Sequence, residues 1–214
     1  MLRIAIDGPG GAGKSTIAKI LAKKLDIDYI DTGAMYRAVG YKLIKEGIPV
    51  DDLKAVEEML SGTDIDFSRG DTILDGQVIS DRIRTQEISK MASDCSALMP
   101  VREKLVMLQK KMASEKSVIM DGRDIGTNVI KDAEFKFFLT AGAEERAQRR
   151  HKELIEKGEN ISFEKVLDDI MKRDHNDMTR KLNPLKKAED AIEIDTTEMS
   201  IDEVVEYILG KVEQ

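Results

Sequence analysis

The 214-residue sequence carries 34 lysines and arginines against 41 aspartates and glutamates, and this formal net charge of −7 excludes a protein held to nucleic acid or anionic lipid by a general basic surface. Hydrophobic residues at 41% exclude a disordered chain, and charged residues at 35% imply a soluble globular protein with a highly charged exterior. No apolar run approaches the length of a membrane span, no signal-type apolar region follows Met1-Leu2-Arg3, and the single Cys95 excludes an intramolecular disulfide framework, so the expectation is a cytoplasmic protein with one sizeable core.

In chain order, the apolar run from Arg3 to Asp7 reads as a strand, and Lys14 to Leu25 as a helix with Ile17, Ile20, Leu21 and Leu25 at helical spacing. Between them stands Gly8-Pro9-Gly10-Gly11-Ala12-Gly13-Lys14-Ser15, which matches G-x-x-x-x-G-K-[ST] in the strand-to-helix context its mechanics require. Such a loop curls its backbone N–H groups around phosphate oxygens at the positive end of a helix. Lys14 would then reach the β- and γ-phosphates, and the Ser15 hydroxyl would ligate Mg²⁺.

Asp28 to Asp31 reads as a second strand, and Met35 to Lys45 as a helix stopped by Gly47 and Pro49. From Ser61 to Arg84 the pattern alternates, with turn signals at Ser68-Arg69-Gly70-Asp71 and Asp75-Gly76, which predicts a small antiparallel insertion. Thr85 to Glu115 is helical again, interrupted at Pro100. Strands are predicted at Ser117 to Met120, Phe135 to Leu139 and Ile192 to Ile194, and a last helix at Ile201 to Val212. Five strands separated mostly by helices give a three-layer α/β fold of P-loop NTPase type, its parallel sheet covered on both faces and its ligand outside the carboxyl ends of the strands.

Those ends carry the phosphate loop, then Asp31 to Arg37, then Asp121-Gly122-Arg123-Asp124, then the arginines around Arg146, and all four are expected to face one crevice. Asp121 stands where a P-loop protein keeps its Mg²⁺-orienting acid, with a helix N-cap as the alternative. On a helix predicted between Ile161 and Arg180, Arg173, Asp177 and Arg180 share a face, as ligand contacts or as an exposed salt-bridge ladder. Arg146 and Arg150 are i, i+4 neighbours beside the polar stretch His151 to Asn160, which reads either as a mobile flap or as an ordinary surface connection.

Gly8 to Thr16, Asp31-Thr32-Gly33-Ala34-Met35-Tyr36-Arg37, Arg84-Thr85-Gln86-Glu87, Asp121-Gly122-Arg123-Asp124-Ile125-Gly126-Thr127, and Arg173-Asp174 through Arg180 together resemble the bacterial-type cytidylate kinase family across nearly the whole chain. The resemblance implies transfer of the ATP γ-phosphoryl group to CMP or dCMP, with Gly8, Pro9, Gly10, Gly11, Ala12, Gly13, Lys14, Ser15 and Thr16 holding ATP, and Ser15 and Asp121 holding Mg²⁺. It carries Ser93, Arg102 and Asp124 over to the cytosine, Arg37, Arg123 and Arg180 to the acceptor phosphate, and Arg173 and Asp177 to the sugar. Thr32 and Tyr36 accompany Arg37 as acceptor-binding residues, and Lys14, Arg123, Arg180, Arg146 and Arg150 form the catalytic set.

On this basis the chain is one kinase unit, a monomer without nucleic-acid or membrane partners. Its core lies at about 1–60, 85–150 and 165–214, its monophosphate-binding insertion at about 61–84 and its lid at about 151–164. Alanine at Asp124 is expected to impair CMP handling while stability changes little. Kinases of other small acceptors, such as UMP or shikimate, share the loop and sheet, and a non-enzymatic nucleotide switch shares the loop.

Overall fold

The computed structural model describes residues 1–68, 70–156 and 158–213. Arg69, in the first expected hairpin turn, and Lys157, in the expected flap, lie outside the described residues. The chain opens with β1 (Arg3–Asp7), α1 (Lys14–Leu25) and β2 (Asp28–Asp31), at the bounds the apolar spacing predicts. Then α2 (Thr32–Glu46) starts three residues earlier than Met35, because the Asp31 carboxylate accepts the Ala34 N–H at 2.8 Å and caps it.

An additional helix, α3 (Leu53–Ser61), is capped by Asp52 and buries Val56, Met59 and Leu60. The predicted insertion is a three-stranded antiparallel sheet, β3 (Ile65–Ser68), β4 (Asp71–Leu74) and β5 (Gln77–Val78). Asp75 and Gly76 join β4 to β5 with φ of 49° and 77°, the two positive values of a primed hairpin turn. Helices α4 (Gln86–Cys95) and α5 (Met99–Glu115) follow, with Pro100 in the first turn of α5, where its missing N–H costs no helical bond.

Beyond them come β6 (Val118–Gly122), a π-helical turn (Ile125–Val129), β7 (Phe135–Thr140), α6 (Ala143–Glu156), α7 (Phe163–Thr179), β8 (Ile192–Asp195) and α8 (Ile201–Val212). Three bounds bear on function. Asp121 lies inside β6, Arg180 leaves α7 as its C-cap, and His151 to Glu156 continue α6 where a polar loop was expected.

The chain divides into two compact units. One comprises Met1–Tyr29 and the chain from Ser117 onward; the other is Ile30–Lys116. The parallel sheet has strand order β2-β6-β1-β7-β8. Connections run first to one side of β1 and later to the other, which makes the carboxyl end of β1 the switch point where ligands of open α/β sheets bind. In the first unit, Ile4, Ile6, Ile119, Phe137, Leu139 and Ile194 of the sheet pack with Ile17 and Leu21 of α1 and Val204, Val205 and Ile208 of α8. At about 1.5–3 kcal/mol for each such side chain, this layer sets the position of α1 and hence of the loop before it. A smaller cluster of Ala147, Leu154 and Val166 joins α6 to α7.

Candidate active site

Glycine shapes the loop, as Gly8 and Gly13 show. A Cβ on Gly8, whose φ is 146°, would run into the Leu139 carbonyl of β7. Gly13, at φ 81°, is the N-cap of α1 and offers no side chain to its first turn, whereas Asp31, Asp52, Thr85, Ser162 and Ser200 cap α2, α3, α4, α7 and α8. The leading N–H groups of α1 are therefore left to an anion at the positive end of the helix. Lys14 is buried and spans the loop, its Nζ donating to the Pro9 carbonyl at 2.6 Å. Burial, with Arg123 and Arg173 close by, pulls its ammonium down to about 7.

Beside the loop, the Asp121 carboxylate accepts the Ser15 hydroxyl on Oδ2 and the Tyr29 hydroxyl on Oδ1, each at 2.8 Å. The N-cap alternative for Asp121 does not hold, because β6 runs through it and the following turn takes its bonds from Asp7.

Four arginines of this unit gather at the loop and at the carboxyl end of β6. Arg146 donates through Nη1 to the Gly10 carbonyl and through Nε to the Ala141 carbonyl, both at 2.9 Å, and its Nη2 lies 2.7 Å from Asp174. Arg123 Nη2 and Arg173 Nη1 come within 3.4 and 3.9 Å of where a Gly10 Cβ would stand. Arg123 Nε donates to Asp177 Oδ2 at 2.8 Å. Arg180 donates Nε to the Asn183 carbonyl at 2.8 Å and Nη2 to Asp124 Oδ1 at 3.1 Å, with Nη1 3.5 Å from Asp177 Oδ1. Burial works to raise the Asp177 carboxyl, and Arg123, Arg173 and Arg180 overcome it to hold the group below the usual carboxylate range. With both side chains only 9% exposed, Asp177 and Arg180 do not form the exposed ladder that their spacing also allowed.

Arg150 is not brought to the loop: it pairs with Glu153 along α6 at 3.1 Å. Arg149 donates to the carbonyls of Thr196 and Thr197, and His151 Nε2 bonds the Ile161 carbonyl at 3.0 Å.

The other unit carries the remaining predicted residues. Thr32 opens α2 and is buried, and Arg37, one turn on, donates Nη2 to Asp31 at 2.9 Å. The Arg102 guanidinium lies 5.7 Å from the centre of the Tyr36 ring and donates to the Ser96 carbonyl at 3.3 Å, which joins α2 and α5. Ser93 sits in α4, where its carbonyl accepts the Ser96 hydroxyl at 2.7 Å. Three site residues, Asp7, Tyr29 and Asp174, escaped the sequence reading. A carboxylate closing an apolar strand is the signal that singles out Asp121, and it applies equally to Asp7; Tyr29 lies in no motif, and Asp174 lies in the Arg173 to Arg180 stretch with no role assigned to it.

A phosphate loop before an uncapped helix, a hydroxyl–carboxylate pair and a set of paired guanidiniums define a P-loop kinase, a phosphotransferase. The fold is like that of shikimate kinase from Bacteroides thetaiotaomicron, with a TM-score of 0.52 at 14% identity over 100% of this chain and 99% of that one, a likeness of architecture alone. The cytidylate kinase family profile matches residues 4–214. Similar proteins include the cytidylate kinase of Clostridioides difficile (strain 630), 53% identical over 99% of this chain and 98% of that one. That of Caldicellulosiruptor bescii is 53% identical over 97% and 94%, and that of Clostridium perfringens (strain SM101 / Type A) 51% identical over 100% and 99%. The chain belongs to the cytidylate kinase family.

Proposed function

We propose that the protein phosphorylates CMP or dCMP with the γ-phosphoryl group of ATP, giving CDP or dCDP and ADP. The observation that carries this reading is the gathering of Arg123, Arg146 and Arg173 over Gly10 of a phosphate loop, in a chain of this family. Residues 8–16 hold the donor phosphates, and Arg37, Arg123 and Arg180 the acceptor phosphate. Ser15 and Asp121, an all-oxygen pair, suit Mg²⁺. Among the described residues no group of three His, Cys, Asp or Glu is disposed to hold a metal, so substrate oxygens and water would complete the shell. Bound there, Mg²⁺ would offset the charge of the β- and γ-phosphates.

An acceptor phosphate oxygen is deprotonated at neutral pH and needs no base. Its lone pair forms the new bond to the γ-phosphorus while the bond to the β,γ-bridging oxygen breaks and its electrons leave on ADP. The protein's part is placement and fixed positive charge from Lys14, Arg123 and Arg146. His175 is exposed and His151 bonds a backbone carbonyl, which agrees with a reaction that uses neither.

Asp124 accepts the cytosine amine while Arg102 donates to the ring acceptors, and Ser93 is a third residue assigned to the base. Uracil would set a carbonyl against the carboxylate and leave buried polar groups unpaired. Arg173 and Asp177 meet the sugar hydroxyls. The reading includes a cytoplasmic monomer, in keeping with a lone cysteine and a reducing compartment. A coupled ADP-release assay across nucleoside monophosphates tests it. CMP and dCMP are expected to be turned over and UMP poorly; efficient UMP turnover with poor CMP turnover overturns the cytosine assignment, and ADP release independent of any acceptor overturns the kinase.

A further inference from the structure

One buried carboxylate has no task in this scheme. Asp7 closes β1 immediately before the phosphate loop, is 4% exposed, and accepts two backbone bonds of 2.8 Å: Ile125 N–H on Oδ1 and Gly126 N–H on Oδ2. In the parallel ladder the same residue stands opposite Gly122. Asp7 thus fixes both ends of a short segment, Gly122 through its place in the strand and Ile125 through its side chain. Between those ends lie Arg123 and Asp124.

The arrangement also determines what the Asp124 side chain is able to do. Asp124 occupies the N-cap position of the π-helical turn, where an aspartate ordinarily folds back onto the leading N–H groups, yet it makes no such bond. Asp7 bonds the Ile125 and Gly126 N–H groups from across the sheet, and the Asp124 carboxylate is turned instead to Arg180 at 3.1 Å and to the Asn128 amide at 3.1 Å. Gly126 makes room for this: a Cβ there would lie 3.4 Å from Asp7 Oδ2 and 3.2 Å from Lys136 Cδ.

We infer that Asp7 is a positioning residue for acceptor specificity: by capping the turn in place of Asp124, it frees and aims the carboxylate that reads the cytosine amine. This rests on the proposed role of Asp124, and the test separates the two.

In Asp7→Asn the amide offers one oxygen, and its NH₂ confronts the second backbone N–H, so the turn shifts and Asp124 moves with it. The experiment compares kcat/KM for CMP and UMP, with KM for ATP, in the wild type, Asp7→Asn, Gly126→Ala and Asp124→Asn. The CMP-over-UMP preference is expected to fall by about tenfold or more in Asp7→Asn, chiefly through KM for CMP, while KM for ATP moves far less. Gly126→Ala crowds the same carboxylate and is expected to lower the preference in the same direction, which keeps the test open if Asp7→Asn does not fold. Equal losses on CMP and UMP, or a rise confined to KM for ATP, mean that Asp7 serves only the fold or the donor loop, and overturn the inference. A preference unchanged in Asp124→Asn overturns the base-reading role itself. A preference lost in Asp124→Asn but intact in both other variants overturns the inference about Asp7 alone.

Discussion

Replacing Asp124 with alanine removes a carboxylate that is paired with Arg180 at 3.1 Å. A carboxylate that only reads a ligand is dispensable to the fold, and the sequence accordingly predicts little change in stability. In the structure, however, Asp124 is 6% exposed and faces the equally enclosed Arg180. Removing one member of a buried ion pair costs about 3–5 kcal/mol when it strands the other charge. Arg180 is not wholly stranded, because Asp177 lies 3.5 Å away and the Asn183 carbonyl keeps its bond. The expected loss is therefore nearer 2–3 kcal/mol, or roughly 4–12 °C in melting temperature for a chain of this size. Thermal melts at neutral pH of Asp124→Ala, Arg180→Met and the double variant measure it, and the cycle should show a coupling of about 1 kcal/mol or more. An alanine variant melting within about 2 °C of wild type, or strictly additive single effects, would refute the buried-pair account and restore Asp124 to a purely ligand-facing role.

Lys14→Met replaces an ammonium that burial disfavours with an apolar chain of similar length, so a coupled assay should show kcat lower by about 100-fold or more while the melting temperature holds or rises. Burial lifts the Asp7 carboxyl from 3.8 to about 6, although the Ile125 and Gly126 N–H groups pull it back. Its contribution to stability is thus full below the unfolded value and lost as pH rises through about 6, an interval worth about 3 kcal/mol. Urea melts should show wild type losing stability relative to Asp7→Asn from about pH 4 to pH 7, and a difference that does not change with pH would contradict this assignment. Burial, with Asp94 adding to it, pushes the Cys95 thiol up to about 12, so iodoacetamide should label the urea-unfolded protein and spare the folded one.

Local rules account for what the sequence revealed. The bounds of α1 and α8 follow from apolar spacing, because each packs one face on a core that imposes its period, and β1 reads as a continuous apolar run because it is buried on both faces. The phosphate loop is readable because glycine, lysine and serine are required at fixed offsets. What escaped depends on distance in the chain. Asp7 and Ile125 are 118 residues apart, and only the parallel pairing of β1 with β6 brings them together. Asp174 reads as one more acidic residue of a charged helix until α6 and α7 pack and bring it to Arg146. The start of α2 was available in principle, since Asp31 is an ordinary cap signal, but the strand pattern that ends on the same residue hid it. The predicted site residues lie on both units, so no single contiguous motif contains the acceptor chemistry.

The paired carboxylates of the first unit do more than balance charge. Arg123 engages Asp177 through Nε, and this grip on the inner edge of the guanidinium leaves Nη2 beside Gly10, where a phosphate held by the loop would meet it already oriented. Arg180 differs: Nε engages the Asn183 carbonyl, Nη2 engages Asp124, and Nη1 faces Asp177. For Arg180 to grip an acceptor phosphate it must exchange a carboxylate oxygen for a phosphate oxygen. Such an exchange swaps one anion for another around a cation that stays enclosed, so the cost of stripping water from a bare guanidinium was already met in folding. Arg180 and Asp124 are proposed to hold opposite ends of one nucleotide, so releasing their mutual pair presents both groups to the ligand at once. On the proposed assignment, the nucleotide whose phosphate takes Arg180 would also supply the amine that Asp124 accepts in place of the arginine, which would tie phosphate grip to base identity.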